Sequence, residues 1–263
     1  MKLLILNYHG IEVREGEYGA SLAEREYFIL KKSFRIHLEI LRKEKFMSLG
    51  ISELSEMRTV DSNRSVMITF DDGHISNYEH VLPLLKEFGM KAIFFIPVNL
   101  IGSPGYMDGA QIRELGSNGF DIGSHGLNHI PLTRLRNEKL KEELLGSKKA
   151  LEDLLGKRVD SFSVPRGFYN VRVRLAAKEA GYRFVFTSRF GLNVAEPDCL
   201  ALSRIAVKAG TSEEEFADWI FGKFGLKAFV ESIKDAVRSA LPPDLYDTAA
   251  ETKRIVFGAG SKN

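Results

Sequence analysis

The sequence predicts an α/β fold built from parallel strands joined by crossover helices. Short apolar runs alternate with stretches of helical spacing along most of the 263 residues, and this rhythm is typical of βαβ units. Several helical stretches stop at a glycine, which is a common helix end. An open sheet and a closed barrel both fit the pattern, because periodicity does not distinguish them.

Strands are predicted where a short apolar or β-branched run stands between turns. Helices are predicted between the strands from apolar residues at helical spacing, and a capping box, TSEE (211–214), opens a last helix. The predicted strands are LLIL (3–6), VMITF (66–70), KAIFFIPV (91–98), FDIGSH (120–125), VDSFSV (159–164), YRFVFTS (182–188) and LSRIAV (202–207). The predicted helices are 27–45, 81–89, Asp108 to near Gly119, Asn137 to near Gly156, and 171–180.

The last forty residues differ in character from the rest, so the chain is divided into a main unit, 1–221, and a peripheral helix and tail, 222–263. The second part contains the amphipathic stretch LKAFVESIKDAVRSA (226–240), then Pro242 and Pro243, and a polar end. For this stretch, a helix packed on the main unit is favoured over a helix lying at a membrane surface.

Composition excludes several classes of protein. The net charge is +2 and the acids and bases are nearly balanced, so nothing argues for a nucleic acid partner. Cys199 is the single cysteine, so no intrachain disulfide is expected. The apolar run in MKLLILNYHG (1–10) is too short for a signal peptide, and no stretch is long enough to span a bilayer. The expected location is therefore the cytoplasm.

Polar residues whose side chains could take part in catalysis or binding lie at the ends of the predicted strands. In parallel α/β folds the C-terminal ends of the strands share one rim, and active sites form there. Residues that are distant in sequence are therefore expected to converge. They are Tyr8 and His9, Asp71 and Asp72, Ser124 and His125, Arg166, Ser188 and Arg189, and Arg204.

Two of these positions together suggest a metal site. Asp71 and Asp72 end a buried strand, where two like charges should repel, although a polar turn also explains an aspartate pair. His125 and His129 have the H-x3-H spacing of a metal-ligand pair, which also occurs incidentally. Two imidazoles and one carboxylate would leave positions open for water and substrate. Zinc fits such ligands best, and cobalt, nickel or manganese are acceptable.

Adjacent residues in an extended chain point to opposite sides, so Asp71 and Asp72 need not share a role. One can bind the metal while the other stands beside a water molecule as a general base. The charge of a dication would offset the repulsion between the two carboxylates.

The chain resembles the polysaccharide deacetylase family, also called the NodB-homology or carbohydrate esterase 4 group. TFDDG (69–73) matches the first motif of that family, and HGLNH (125–129) matches the second except that Gly126 replaces a hydroxyl residue. The pattern from YHG (8–10) through RIAV (204–207) also fits. The resemblance implies a distorted (β/α)7 barrel, and the change in character at residue 222 adds a peripheral C-terminal helix and tail to it.

The same resemblance implies an activity and roles for four residues. Asp71 would be the catalytic base, and Asp72, His125 and His129 would bind one divalent metal ion. The implied reaction is metal-dependent hydrolysis of an N-acetyl group from an amino-sugar polysaccharide, oligosaccharide or glycolipid. A cytoplasmic, membrane-adjacent step in glycan or glycolipid assembly would reconcile this activity with the absence of an export signal.

The third family motif departs from its usual form. In SVPRGFYN (163–170), Pro165 and Gly167 fit, but Arg166 occupies a tyrosine position. We interpret Arg166 as a catalytic or substrate-binding residue on the rim that pairs with Asp71 or contacts the substrate. An exposed turn arginine is an equal alternative.

A general acid is missing from its usual place in this family, since no histidine follows His129. Arg204 lies nearby but is a poor proton donor. His9, at the end of the first strand, is the first substitute, and His74 is the second. Water on the metal is a further alternative.

A polymeric substrate predicts an open groove with aromatic rings against the sugar faces. Tyr106, Phe168 and Tyr169 lie in the expected rim loops, although loop packing explains each of them at least as well. Tyr169, Arg166 and Arg204 are the predicted substrate-binding residues.

Two other functions stay open at this stage. One is a metal-binding or glycan-binding relative that has lost turnover, and the other is a cyclic-amide hydrolase on the same fold. The departures from the family motifs keep both alternatives in view.

Overall fold

A sheet of mainly parallel strands forms the centre of this computed structural model, which describes residues 2–56, 64–194, 197–226, 230, 231, 233, 234, 237 and 245. Each predicted strand is present, although several are shorter than their apolar runs. The strands are β1 (Lys2–Tyr8), β2 (Gly10–Glu12), β3 (Phe28–Leu30), β4 (Met47–Ser48), β5 (Ser65–Phe70), β6 (Ile93–Ile96), β7 (Asp121–Ser124), β8 (Ser161–Ser163), β9 (Phe184–Phe186), β10 (Asn193–Val194) and β11 (Ile205–Ala206).

The sheet curls into a distorted (β/α)7 barrel, as the family resemblance implies. Parallel pairing runs from β1 through β5, β6, β7 and β8 to β9. On its other edge β1 pairs in parallel with β11, and the bridge between Phe186 and Leu202 links β9 to the segment before β11. Among the described residues, seven parallel strands therefore form the ring, and its weakest join lies between β9 and β11.

Helices follow most of the strands and pack outside the ring. They are α1 (Leu22–Arg25), α2 (Lys31–Lys43), α3 (Ile51–Ser55), a π-helical turn (Asn77–Val81) that continues into α4 (Leu82–Phe88), α5 (Gly109–Ser117), α6 (Asn137–Leu155), α7 (Val171–Glu179) and α8 (Glu213–Ile220). The predicted cap at Asp108 is confirmed, because its carboxylate accepts hydrogen bonds from the backbone N–H groups of Ala110 and Gln111.

Two predicted helix starts need correction. The first long helix begins at Lys31 rather than residue 27, because Phe28–Leu30 pairs with β2 as a strand. The last helix is capped by Ser212 instead of Thr211, since the Ser212 hydroxyl accepts a hydrogen bond from the N–H of Glu215. The Thr211 hydroxyl instead accepts from the N–H of Lys208 and so closes the preceding turn.

Two apolar layers hold the barrel together. Alternate residues of each strand point inward and outward, so Leu3, Ile5 and Met67 join an inner cluster with Phe95 and Phe186. The intervening strand residues pack in a larger cluster that includes helix residues. This alternation decides which polar side chains at the strand ends face the barrel interior.

The division of the chain at residues 221 and 222 stays a prediction, because most of 222–263 lies outside the described residues. Phe229, one member of the predicted amphipathic face, is among the positions not described. Leu226, Val230, Ile233 and Val237 of that face are exposed. Within the part of the chain that the structure describes, no helix has both the length and the apolar character needed to cross a membrane.

Candidate active site

Asp71 lies inside the barrel at the C-terminal end of β5. It continues the inward-facing series of Met67 and Thr69, and Asn7 does the same after Leu3 and Ile5 on the neighbouring strand β1. Asp71 is only 3% exposed. A buried carboxylate requires hydrogen bonds and an opposite charge, so its stability depends on the side chains that surround it.

Arg204 supplies that charge. Its two terminal nitrogens donate to the two carboxylate oxygens of Asp71, each at 2.8 Å. The remaining donors reach Asn7, Thr69, Ser163 and the carbonyl of Thr187. Arg204 is itself 2% exposed. This bidentate pair is a charge-assisted contact that fixes the plane of the carboxylate.

Two further donors complete the surroundings of Asp71. The Asn7 amide and the Ser163 hydroxyl both donate to Oδ2, at 3.2 and 3.1 Å. Burial alone would raise the pKa of Asp71, but the charge and hydrogen bonds of Arg204 outweigh burial and lower it to about 2. Asp71 is therefore ionised at neutral pH.

Asp72 points to a different environment, where two imidazoles meet its carboxylate. Its Oδ1 lies 3.3 Å from Nε2 of His125 and 3.1 Å from Nε2 of His129. These ligand atoms all lie within 4.8 Å of one another. None of the residues that the structure describes forms a hydrogen bond with the buried Oδ1. Three electron-pair donors thus face a common point, as they do around a cation.

The hydrogen bond of His125 favours metal binding. Its Nδ1 lies 2.8 Å from the backbone carbonyl of Ser163, which can only accept a hydrogen bond. The proton of the neutral ring must therefore be on Nδ1, and the lone pair on Nε2 faces Asp72 and His129. Metal-binding histidines are commonly oriented in this way. The residues present fit a divalent cation.

Glu143, on helix α6, holds the loop that carries the two histidines. One carboxylate oxygen accepts from the N–H groups of Leu127 and Asn128, at 2.8 and 3.1 Å, and the other accepts from the Asn128 side chain. Gly126 has a positive φ of 79°, and a Cβ there would lie 3.2 Å from Oε2 of Glu143. The position that departs from the family motif is therefore one where a side chain would be strained.

The charges of this cluster are coupled. Burial alone would raise the pKa of Asp72, but the imidazoles of His125 and His129 close to its carboxylate hold it well below its usual value. Burial alone would lower the pKa of His129, but Asp72 outweighs this effect and raises it. Asp72 and His129 therefore each favour the charged form of the other.

Backbone strain concentrates at the same place. Among the described residues, four other than glycine have a positive φ, and Asp72, His129 and Arg166 are three of them, at 72°, 53° and 56°. Each such conformation costs about 1–3 kcal/mol and is retained where the surrounding structure imposes it. The strain therefore marks the rim at which β5, β7 and β8 end.

His9 lies close enough to Asp71 and Asp72 for both carboxylates to act on its pKa. Its Nδ1 is buried and has no hydrogen-bond partner in residues 2–56, 64–194 and 197–226 or at the isolated described positions beyond them. Burial lowers its pKa against the opposing charges of Asp72 and Asp71. Its ring packs against Tyr27, with 4.6 Å between the ring centroids.

The structure changes the interpretation of the predicted arginines. Asp71 takes Arg204 as its bidentate partner, so the suggested pair between Arg166 and Asp71 is replaced. Arg166 is exposed on the turn Pro165–Gly167 after β8. Arg204 directs its donors to protein acceptors, and this argues against the predicted contact with substrate.

The three aromatic residues predicted to contact the sugar lie in different environments. The hydroxyl of Tyr169 donates to the carbonyl of Leu200, and burial raises its pKa to about 12. Phe168 is buried in the loop after β8. Both environments favour loop packing, which was the alternative for each residue. Tyr106 is half-buried and lines a cavity that also contains His9 and Asp72.

Sequence reasoning missed Asn7, Ser163 and Glu143. A signal existed for each, because all three are polar residues at positions whose periodicity is otherwise apolar or inward-facing. Glu143 shares the buried face of α6 with Leu140 and Leu144. A polar residue on such a face usually has a hydrogen-bonding role, but only the structure shows the partners.

The fold and site together define an α/β-barrel hydrolase with a potential metal centre at the strand ends. Residues 59–185 match the family described as Polysaccharide deacetylase. The chain is 33% identical over 222 residues to "Putative polysaccharide deacetylase YxkH" of Bacillus subtilis. The aligned region covers 83% of this chain and 76% of that protein. The chain belongs to the polysaccharide deacetylase family.

Two further relatives share this fold or sequence. The chain is 33% identical over 129 residues to a peptidoglycan-N-acetylglucosamine deacetylase of Bacillus cereus, covering 49% of this chain and 58% of the relative. The solved structure of Streptococcus pyogenes deacetylase PplD in complex with acetate superposes with a TM-score of 0.74 at 26% identity. That match covers 81% of this chain and 96% of PplD.

Proposed function

We propose that this protein is a metal-dependent N-deacetylase that hydrolyses the N-acetyl group of an amino sugar in a glycan. The observation that carries this proposal is the convergence of Asp72, His125 and His129 beside an ionised Asp71 at one rim of the barrel. Family membership supports the hydrolase class. The divalent metal, with zinc as our first choice, and the glycan substrate are parts of the proposal.

In this mechanism Asp71 is the base. Among the described residues, Oδ2 accepts from Arg204, Asn7 and Ser163, whereas Oδ1 accepts from Arg204 alone. A carboxylate oxygen has two lone pairs, so Oδ1 keeps one with which to orient a water molecule and accept its proton. Arg204 and Ser163 position this carboxylate and keep it ionised.

Asp72, His125 and His129 would hold the cation. A divalent ion bound there supplies Lewis acidity, which polarises the acyl carbonyl and increases the acidity of water. The low pKa of Asp71 makes it a weak base by itself, so its orientation by Arg204 is as important as its basicity. Water adds to the acyl carbon, the C–N bond breaks, and acetate and a free amine leave.

His9 is the proposed proton carrier for the departing nitrogen. Its lowered pKa keeps the imidazole neutral at pH 7, so it must first receive a proton before it can donate one. Nδ1, buried and without a partner in the described part of the chain, is suited to this transfer. Arg166, exposed on the same rim, is proposed to contact the glycan.

The relatives favour an N-acetylated glycan as substrate. A relative that shares half of this chain is named for peptidoglycan N-acetylglucosamine, and we extend the same chemical class to this protein. The three converging ligands count against a cyclic-amide hydrolase that lacks the histidine pair. A relative without turnover would bind metal and glycan but release no acetate.

The direct test is acetate release from a panel of N-acetylated glycans, measured with zinc and with a chelator. We expect release from at least one N-acetylglucosamine-containing substrate, loss with chelator, and recovery when zinc is added back. Metal binding without acetate release from any member of the panel would contradict the proposed activity. Chelator-insensitive release would contradict the metal dependence.

A further inference from the structure

A cavity of about 210 Å³ is lined in part by Asp72 and His9. The proposed mechanism gives roles to these two residues and none to the rest of the lining. Aromatic and imidazole rings dominate the remaining wall. The segment after β1, the segment 18–28 and the loops after β5 and β6 supply the rings. The rings belong to His9, Tyr18, Tyr27, Phe28, His74 and Tyr106.

The aromatic wall is held in place by contacts among its own members. His74 meets Tyr18 and Phe28 edge to face, with ring centroids 4.7 and 4.9 Å away. The Tyr18 hydroxyl donates to the carboxylate of Glu79 at 2.7 Å, which anchors the segment before α1 to the π-helical turn. The cavity is therefore built by specific contacts between segments that are distant in sequence.

His74 offers a hydrogen-bond donor to this cavity. The backbone N–H of Ser76 donates to Nδ1 of His74 at 3.2 Å, so Nδ1 is an acceptor and the neutral ring carries its proton on Nε2. That N–H has no partner among the residues described, and the same holds for the Tyr106 hydroxyl. A Cβ on Gly105, which also lines the cavity, would lie 4.0 Å from Nε2.

Apolar ring faces combined with a few unsatisfied polar groups are typical of a small-ligand site. The volume lies below the range of about 300–1,000 Å³ for drug-sized ligands, so one sugar ring is an appropriate occupant. We propose that this cavity binds one uncharged pyranose ring of the amino-sugar substrate. Tyr106 packs on a face of the ring, and Nε2–H of His74 donates to a ring hydroxyl.

The charge of the residues that line the cavity distinguishes neutral sugars from acidic ones. Glu24 and Asp72 line the cavity, and no lysine or arginine is among its described lining residues. A sugar that carries its own carboxylate would find no cation of the chain and would be repelled by Glu24. The cavity thus favours a neutral N-acetylhexosamine over an acidic one.

This inference rests on the proposed function for the identity of the ligand, but it is tested by binding rather than turnover. The probe is tri-N-acetylchitotriose, and its dissociation constant is measured calorimetrically with chelator-treated protein, which is not expected to hydrolyse it. We expect His74→Ala and Tyr106→Leu each to weaken binding about fivefold to tenfold, the scale of one lost hydrogen bond or ring contact. Tyr78→Leu removes a tyrosine outside the cavity and is expected to stay within about twofold of wild type.

Unchanged binding in either His74→Ala or Tyr106→Leu, or no binding by the wild type, would overturn the assignment. Circular dichroism and zinc content identify a variant that has lost its fold, in which case the other variant decides. With zinc restored, both variants should raise KM more than they lower kcat. If the wild type binds the probe but releases no acetate from any glycan, the proposed function fails while the sugar site stands.

The preference for an uncharged ring is tested by comparing the affinities of a neutral and an acidic sugar. Wild type without metal should bind N-acetylglucosamine at least about fivefold more tightly than N-acetylmuramic acid, which carries a carboxylate. Glu24→Gln should reduce this difference, and glutamine at this position preserves the capping box with Ser21. Equal affinity for the two sugars in the wild type would refute the preference for an uncharged ring.

Discussion

The carboxylate of Asp71 lies inside the barrel, where Arg204, Asn7 and Ser163 all donate hydrogen bonds to it. The carboxylate of its neighbour Asp72 faces His125 and His129, and its buried Oδ1 forms no hydrogen bond within the described residues. The charge of Asp71 is balanced by Arg204, whereas Asp72 faces two imidazoles in an arrangement that also fits a cation. The end of β5 thus places two adjacent aspartates in two different environments, one suited to the proposed base and the other to the proposed metal ligand.

The partners of the two carboxylates also respond differently to pH. Asp71 is paired with a guanidinium, which stays charged at every accessible pH. Asp72 is paired with imidazoles, and its carboxylate raises the pKa of one of them, that of His129. The low pKa of Asp71 is therefore maintained without a metal, whereas the surroundings of Asp72 can exchange protons for a metal ion.

The largest expected effect is on the cluster formed by Asp72, His125 and His129. His125→Ala or Asp72→Ala removes one of three ligands, so bound zinc should fall from about one ion per chain to near zero, and acetate release should become undetectable. Atomic absorption and acetate release measure the two results. His80→Ala, a histidine outside the ligand set, should retain the metal. Wild-type zinc content in both ligand variants would contradict the assignment.

Asp71→Asn tests the region around Asp71, where Arg204, Asn7 and Ser163 donate hydrogen bonds to the carboxylate. We expect it to keep its zinc but to lose about 10²–10⁴-fold in kcat, the range for removal of a general base. It should also destabilise the fold by about 3 kcal/mol, because Arg204 is left buried without a counter-ion. Thermal melts report the stability. Asp198→Asn, which breaks an exposed ion pair with Arg174, is the control and should leave kcat unchanged. Full activity of Asp71→Asn would exclude Asp71 as the base.

Glu143→Gln tests whether the histidine loop is held by its carboxylate. In either orientation of a glutamine side chain, its NH2 group would face an N–H group that now donates to Glu143, either on the backbone of Leu127 and Asn128 or on the Asn128 side chain. Zinc affinity should fall about 10–100-fold, as for other groups that position metal ligands. Glu142→Gln changes the neighbouring exposed carboxylate and should leave zinc affinity unaltered. Equal affinity in the two variants would remove Glu143 from this role.

Acid unfolding of the metal-free protein isolates the pair between Asp71 and Arg204. The pKa of Asp71 is about 2 in the folded chain and about 3.9 in an unfolded chain. The unfolded chain therefore binds more protons between these values, and about 2–3 kcal/mol of stability is lost as the pH falls from about 4 to about 2. The stability difference between wild type and Asp71→Asn should shrink over this interval. A constant difference would argue against the ion pair.

The smallest expected effect is the pH dependence of zinc affinity. The pKa of His129 is raised by Asp72, and zinc must displace the proton. Below that pKa the affinity should therefore rise about tenfold per pH unit, and above it the rise should level off. Competition with a chromophoric chelator at several pH values measures the slope. A slope of zero between pH 5 and 6.5 would show that His129 is not protonated in the metal-free protein.

Much of the fold could be predicted because strand and helix periodicities are local. Every predicted strand contains an observed one, and Asp108 caps its helix as expected. The errors also have local causes, since Phe28–Leu30 has a helix-compatible pattern but pairs with β2. The closure of the barrel could not be predicted from periodicity, because it depends on pairing between β1 and β11, about two hundred residues apart.

The residues of the candidate site that lie in the two family motifs could be predicted from the sequence. The resemblance marked Asp71, Asp72, His125 and His129, and the structure brings the last three into one cluster. The sequence offered Arg166, which follows β8, as one candidate partner of Asp71, whereas the structure places Arg204 there. Sequence spacing gives no measure of which long side chain reaches across a barrel.

The sequence by itself determined which residues end the strands and which alternate faces they occupy, because both follow from the two-residue period of an extended chain. It therefore predicted that Asp71 and Asp72 separate, although Asp72 itself lies in the turn after β5 with a left-handed φ of 72°. Only the tertiary structure decided their partners, since Arg204, Ser163 and Glu143 come from segments far along the chain. Hydrogen bonding and charge pairing depend on distances in space, and barrel closure sets those distances.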